Sequence, residues 1–404
     1  MSRHSHKICS LLLTYTVILF LSACGGGGGG GSSTASSLPN ASLTNPAAGA
    51  NVVSLVVGPG VSNNVNIPTV SVTVCLHNTT SCQTIDNILV DTGSYGLRLF
   101  SNQITNFSIP NANQVNSGSL TECVQFADGY TYGPVVNLDV SLAGETAANI
   151  PVNILASPNF TSIPSGCASG PSLQSPSSFG SNGVLGIGDQ INDGLYGLYY
   201  SCNTSCSSLP TSNSSSYVVV NPVSAFHTDN NGVIVTLPYI TQSTGDASAT
   251  GQLIFGINTQ SNNTLPSNAS IITPDSSNYF TSSLNGVNYP SSFIDSGSNG
   301  LFFNTSLNIT QCGQHSNWPG FYCPSSTLSL TAQITLANNT QASVPFSVAN
   351  PTNYSYSAYA FDNLAGTQLA RYNNSFDWGL PFFFGKSVYV FISNSPQIAF
   401  ISNP

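Results

Sequence analysis

Ile88-Leu89-Val90-Asp91-Thr92-Gly93-Ser94 is the stretch on which the reading of this chain turns. An apolar run of strand type ends in a carboxylate, a small hydroxyl residue, a glycine and a serine. The second half of the chain repeats it as Ser292-Phe293-Ile294-Asp295-Ser296-Gly297-Ser298. The repeat continues: Asp91-x-Gly93-Ser94-x-Gly96-Leu97 aligns with Asp295-x-Gly297-Ser298-x-Gly300-Leu301. A strand that delivers an Asp into a glycine turn holds its carboxylate rigidly. Two such deliveries, one from each half, imply two carboxylates that meet across a pseudo-twofold axis.

The rest of the sequence has the composition of an exported all-β protein. With 404 residues it can build two substantial cores, yet it has only five Lys plus Arg against fourteen Asp plus Glu. Arg3 and Lys7 lie at the N-terminus, leaving Arg98, Arg371 and Lys386 for the body. No basic patch can be assembled from three cations, so nucleic acid is excluded as a partner. In acid the body keeps those cations and His77, His227 and His315, so self-repulsion stays small. Acid tolerance is one reading of this balance, and a merely neutral exported surface is the other.

Residues 1–23 read as an export signal: a basic start, an apolar core from Ile8 to Leu21, and Leu21-Ser22-Ala23-Cys24, which resembles a lipoprotein cleavage box. That resemblance implies lipidation of Cys24 and a membrane anchor. With Gly25 rather than Asp after it, it implies sorting to the outer membrane. An ordinary signal peptide or an N-terminal anchor helix is the alternative, although the apolar run is short for a span. Gly25 to Gly31 opens a Gly-, Ser- and Asn-rich tether over 24–50, with a reach of roughly 30 Å. Eight further cysteines, an even count in an exported chain, point to disulfides rather than metal. Proximity pairs Cys75 with Cys82, Cys202 with Cys206 and Cys312 with Cys323, and leaves Cys123 with Cys167. Cys202 and Cys206 have no matching ligand pair nearby, so neither zinc nor any other metal is expected.

Short runs of Val, Ile, Thr, Tyr and Phe between Gly, Pro, Asn and Ser clusters predict strands throughout. Pro68 to Leu76 and Ile85 to Val90 form a hairpin that leads into Asp91. Cys123 to Val140 forms another around Ala127-Asp128-Gly129. Gly183-Val184-Leu185-Gly186-Ile187-Gly188 is a weak nucleotide-loop signal, because no helix pattern follows it. It is better read as a glycine-pinched strand passing close to the Asp91 loop. Asp229 to Gly232 lacks the alternating oxygen ligands of a calcium loop and reads as a hairpin turn.

These motifs resemble those of the pepsin-like aspartic proteases, over most of residues 65–404. Asp91-Thr92-Gly93-Ser94 and Asp295-Ser296-Gly297-Ser298 look like the two catalytic loops of that family. Val184-Leu185-Gly186 looks like the element threaded behind the first loop. Trp378-Gly379 with Pro381-Phe382 resembles its counterpart in the second half, and Gly251 to Gly256 is similar to the family's glycine-rich strand. The lipidated, cysteine-bearing form also resembles a bacterial lipoprotein family of unknown function. The resemblance implies a bilobal fold of two β-barrel lobes, 51–260 and 261–404, with a cleft between them. It implies Asp91 and Asp295 as the catalytic dyad, with Thr92, Gly93, Ser94, Ser296, Gly297 and Ser298 in support. No cofactor is implied, and the partner is an extended peptide or unfolded protein taken by a monomer.

The sequence also departs from the family pattern. Matching Gly129 and Gly133 to the flap glycines puts Phe126 where the family has a Tyr, with Tyr130 and Tyr132 as further candidates. Phe would cover the site without a hydrogen bond. The aromatic partner of that Tyr falls at Arg98. Pointing inward, Arg98 would favour ionised Asp91; pointing outward, the orientation expected here, it would leave the dyad alone. The Asp that often precedes the second-half Pro or Val is Leu380. Retained hydroxyls beside both Asp residues favour a peptidase. The altered flap keeps a second reading open, a surface lipoprotein whose cleft binds a peptide or glycan without hydrolysis. A purely structural envelope role would explain the tether but not the paired carboxylates. No Gly-x-Ser-x-Gly elbow or His-Glu-x-x-His supports a serine hydrolase or metalloprotease.

Overall fold

Strands dominate the computed structural model, which describes residues 51–393 and 396–403. The export signal, Cys24 and the tether lie outside the described residues. Six strands close a barrel. Pro68–Cys75 pairs with Cys82–Asp91, and the ring continues through Gly183–Ile187, Tyr95–Phe100, Glu145–Leu155 and Tyr130–Leu142. Tyr130–Leu142 then returns to Pro68–Cys75, with Val74 opposite Val140. Closure removes the exposed edges that an open sheet would carry. A second, seven-stranded sheet comprises Gln341–Val348, Leu328–Thr335, Phe280–Leu284, Val287–Ile294, Asp377–Trp378, Leu301–Phe302 and Ala365–Gly366.

The two sheets repeat one connection pattern. In the barrel, Cys82–Asp91 runs parallel to Gly183–Ile187, with Asp91 beside Gly186. In the second sheet Val287–Ile294 runs parallel to Asp377–Trp378, with Ile294 beside Trp378. The strand leaving each Asp loop then turns back antiparallel to the threaded strand, as Tyr95–Phe100 in one case and Leu301–Phe302 in the other. Each finally lies parallel to a further strand, Glu145–Leu155 or Ala365–Gly366. The sequence repeat around Asp91 and Asp295 is therefore a repeat of topology.

A run of strands joins the halves: Val52–Val57, Ala249–Phe255, Gly232–Leu237, Lys386–Phe391, Ile398–Ser402 and Ser270–Ile272. Gly232–Leu237 pairs with Lys386–Phe391 over its whole length, so the sheet takes strands from both sides of position 260. Gly232 follows not a hairpin but the 3-10 turn Pro222–Ala225 and the Asp229 loop. Buried Asp229 accepts from Thr259 Oγ1 and Gln260 Nε2, which satisfies its carboxylate without a cation.

Alternation builds the core. Along Pro68–Cys75, Val70, Val72 and Val74 are buried while Ser71 is exposed. Each such valine contributes about 1.5–3 kcal/mol through burial, and Val72→Asp would place a charge inside the barrel. The described disulfides join Cys75–Cys82, Cys123–Cys167, Cys202–Cys206 and Cys312–Cys323, the pairs suggested by sequence proximity.

Candidate active site

Each Asp loop leaves its strand where the threaded strand passes behind it, and two glycines permit the approach. A Cβ at Gly186 would sit 2.5 Å from the Tyr95 nitrogen, and one at Gly379 only 2.0 Å from the Gly300 carbonyl oxygen. Backbone therefore packs on backbone behind both loops, which fixes their position.

The loops bring Asp91 and Asp295 together. A Cβ at Gly93 would lie 2.6 Å from Asp295 Cγ, and one at Gly297 would lie 2.7 Å from Asp91 Cγ. The glycine of each motif thus makes room for the carboxylate of the other, and any side chain there would displace it. Each acid also accepts the backbone N–H two residues on: Gly93 donates to Asp91 Oδ1 and Gly297 to Asp295 Oδ1, both at 2.8 Å. The outer oxygens receive hydroxyl donors, Ser94 Oγ at 2.6 Å from Asp91 Oδ2 and Ser298 Oγ at 3.0 Å from Asp295 Oδ2.

A reciprocal cross-link holds the loops to each other. Ser296 N–H donates to Thr92 Oγ1 at 2.9 Å, while Thr92 N–H donates to Ser296 Oγ at 3.1 Å. The two hydroxyls then donate across the interface, Thr92 to the Ile294 carbonyl and Ser296 to the Val90 carbonyl. All eight residues of the two motifs that sequence reasoning singled out converge here, and both carboxylates are 0 % exposed.

A Cβ at Gly297 would lie 2.7 Å from Asp91 Oδ1 and 3.0 Å from Asp295 Oδ1, so the two carboxyl groups are neighbours, and such neighbours resist ionising together. At an effective dielectric near 20 and a separation of about 3 Å the repulsion is roughly 5 kcal/mol. Burial above all, then the charges of Asp91 and Asp377, hold the Asp295 carboxyl well above the usual carboxylate range. Two adjacent acids that hold one proton between them donate and accept at one place.

Asp377 was not found by sequence reasoning. It stands on the threaded strand of the second half, and its Oδ2 lies 2.7 Å from Ser298 Oγ. Burial is the main force that raises its carboxyl well above the usual range. A signal was available: in the first half the matching residues are Val184-Leu185-Gly186, in the second Asp377-Trp378-Gly379. A carboxylate stands where the repeat has a valine.

Arg98 corrects an expectation. It does not point outward: the guanidinium is buried, with Nη2 2.5 Å from both Glu122 Oε1 and Asp193 Oδ2 and Nη1 donating to the Tyr95 carbonyl. Tyr199 donates to the other Asp193 oxygen at 2.5 Å. The physical reason is attraction, since two acidic side chains buried on neighbouring elements draw a cation between them. Glu122 and Asp193 were likewise missed, because nothing local in sequence joins positions 98, 122 and 193.

Of the aromatics considered as covers, Phe126 packs edge-on against Phe179 with ring centres 5.4 Å apart. The Tyr132 hydroxyl lies 3.6 Å from Cys202 Sγ, and Tyr130 is buried with Tyr132 around Cys123 and Cys167. Their hairpin is fastened. Gly118–Gln125 pairs with Tyr130–Leu142 on one side and Leu198–Cys202 on the other, and Cys123 is bonded to Cys167. Among the described residues no cluster of His, Cys, Asp or Glu could hold a metal ion.

A family model described as "Protein of unknown function (DUF3443)" matches residues 47–400. The chain belongs to that family. A search of curated proteins returned no match. The DUF3443 match spans both Asp loops, the threaded strands and the four disulfides among the described residues.

Proposed function

We propose that this DUF3443 chain is a pepsin-like aspartic endopeptidase of the cell envelope, bilobal in architecture and anchored through a lipid on Cys24. The observation that carries the reading is the reciprocal Thr92–Ser296 cross-link, with Asp91 and Asp295 set beside each other between the loops. Such a bond pattern serves to hold two acids of like charge face to face against their repulsion, which has no structural benefit of its own. In the reaction the ionised member takes a proton from water as it attacks the peptide carbonyl, and the protonated member hydrogen-bonds the carbonyl oxygen. Gly93, Gly297, Ser94 and Ser298 keep the two carboxyl groups oriented. The substrate is an extended chain, recognised largely through its backbone.

A second reading is favoured by one observation. Both acids are 0 % exposed, and the hairpin expected to cover them is disulfide-tied and paired along one arm with Leu198–Cys202. A closed site of this kind suits a lipoprotein that binds a peptide or glycan without hydrolysis.

Hydrolysis of a denatured protein by the full-length chain, from acid to neutral pH, separates the two. Cleavage that is lost in Asp295→Asn, with the variant folded, supports the peptidase. No cleavage at any pH by a folded sample leaves the binding reading.

A further inference from the structure

The two halves of the site are not equivalent. Asp91 Oδ2 faces Ser94, and the residue behind that loop at the matching register is the buried, apolar Val184. On the other side Ser298 Oγ stands between two carboxyl oxygens, 3.0 Å from Asp295 Oδ2 and 2.7 Å from Asp377 Oδ2. A hydroxyl carries one proton and donates to one of them at a time. The remaining contact is oxygen against oxygen unless a proton lies on the second carboxyl group.

We propose that Asp377 is a positioning residue for the acid pair: through Ser298 it decides whether the outer oxygen of Asp295 receives a hydrogen bond, and so on which acid the shared proton rests. The inference rests on the peptidase reading for its consequence, though not for its geometry. With Asp377 protonated, a directional chain forms from the Asp377 hydroxyl to Ser298 and on to Asp295. The donors on the two acids then match, Gly93 and Ser94 on Asp91, Gly297 and Ser298 on Asp295. With Asp377 ionised, Ser298 turns to it and Asp295 loses that donor. A further negative charge faces the pair, and the proton is held on Asp295.

The surroundings favour the neutral form of Asp377. Asp91 and Asp295 are titratable groups that face it. The strands on either side contribute Phe293 and Phe302 at its register. Arg98 pairs with Glu122 and Asp193, and Lys386 lies over the Phe382 ring and faces Asp362. Burial pushes the Asp377 carboxyl up, and the charge on Asp91 adds to this.

The test uses the full-length protein and Asp377→Asn, the isostere of the protonated acid, whose amide N–H donates to Ser298 at every pH. Two readouts are taken. In an infrared pH titration, wild type is expected to keep at neutral pH the carbonyl band of a protonated carboxyl group, reduced in Asp377→Asn by one group's intensity. In the pH profile of hydrolysis, the alkaline limb is expected to move down by about one unit in Asp377→Asn, roughly tenfold in rate at a fixed pH on that limb, because Ser298 then always donates to Asp295 and no further negative charge holds the proton there. In a Ser298→Ala background, where the hydroxyl connection is cut, Asp377→Asn is expected to shift the profile by less. An unchanged band, or a superimposable profile in an active enzyme, overturns the assignment. A variant that fails to fold also counts against it, because the isostere of a neutral acid fits the same space. Absence of hydrolysis in wild type, with the infrared difference present, defeats the peptidase reading alone.

Discussion

Replacing Thr92 by Val tests whether the cross-link between the loops is what holds the two acids together. Valine keeps the β-branched shape, so the change is confined to the hydroxyl. Its loss leaves the buried Ser296 N–H without its acceptor at 2.9 Å and the Ile294 carbonyl without its donor at 3.2 Å. An orphaned buried N–H costs about 1–3 kcal/mol and a lost carbonyl partner about 1 kcal/mol, so the expected destabilisation is about 2–4 kcal/mol. Urea unfolding with the disulfides intact reads this as a fall in midpoint of about 1 M for a slope near 3 kcal/mol/M. Ser296→Ala removes the mirror-image pair of bonds, to Val90 O and from Thr92 N–H. Because the two hydroxyls accept from each other's backbone, the double variant is expected to cost less than the sum, by at least about 0.5 kcal/mol. A Thr92→Val cost under about 0.5 kcal/mol, or strict additivity with Ser296→Ala, would refute the reasoning.

Three further outcomes are expected. Asp193, Asp295 and Asp377 have carboxyl groups raised well above the ordinary 3.8, each chiefly by burial. Between that value and the raised ones the folded chain binds more protons than the unfolded chain. Stability is therefore greatest in acid and falls as pH rises; a urea midpoint that is flat or rises toward neutral pH contradicts this. Arg98→Leu leaves Glu122 and Asp193 without their cation and is expected to cost about 3–5 kcal/mol, with partial recovery on adding Glu122→Gln and Asp193→Asn. A thermal melt of the two variants checks it, and equal melting of Arg98→Leu and wild type speaks against the buried pairing. Cys24→Ser is expected to move the protein from the membrane to the soluble fraction, and unchanged partitioning argues against lipidation.

Much of the site was legible because its chemistry is local. Asp91 to Ser94 and Asp295 to Ser298 carry carboxylate, hydroxyl and turn glycine in consecutive positions, and the local bonds from Gly93 to Asp91 and from Gly297 to Asp295 need nothing else. The strands were legible too, since alternation of the kind seen along Pro68–Cys75 is a property of neighbouring residues. Arg98 was misjudged for the opposite reason. A lone arginine in an acidic, exported chain reads as surface, and only folding sets Glu122 and Asp193 against it. The pairing of Gly118–Gln125 with Leu198–Cys202 was equally hidden, because strand pairing across such separations leaves no local mark.

By itself the sequence determined an all-β chain with two matching strand-to-glycine turns, each presenting an acid and its hydroxyl donors, because those features depend on residue type and short spacing. Tertiary structure alone decided that Gly93 admits Asp295 and Gly297 admits Asp91, and that Thr92 and Ser296 bond across the interface. It also decided that Asp377 stands behind Ser298. Those contacts join residues 79 to 206 positions apart, so they arise from the closure of the sheets and the burial it enforces.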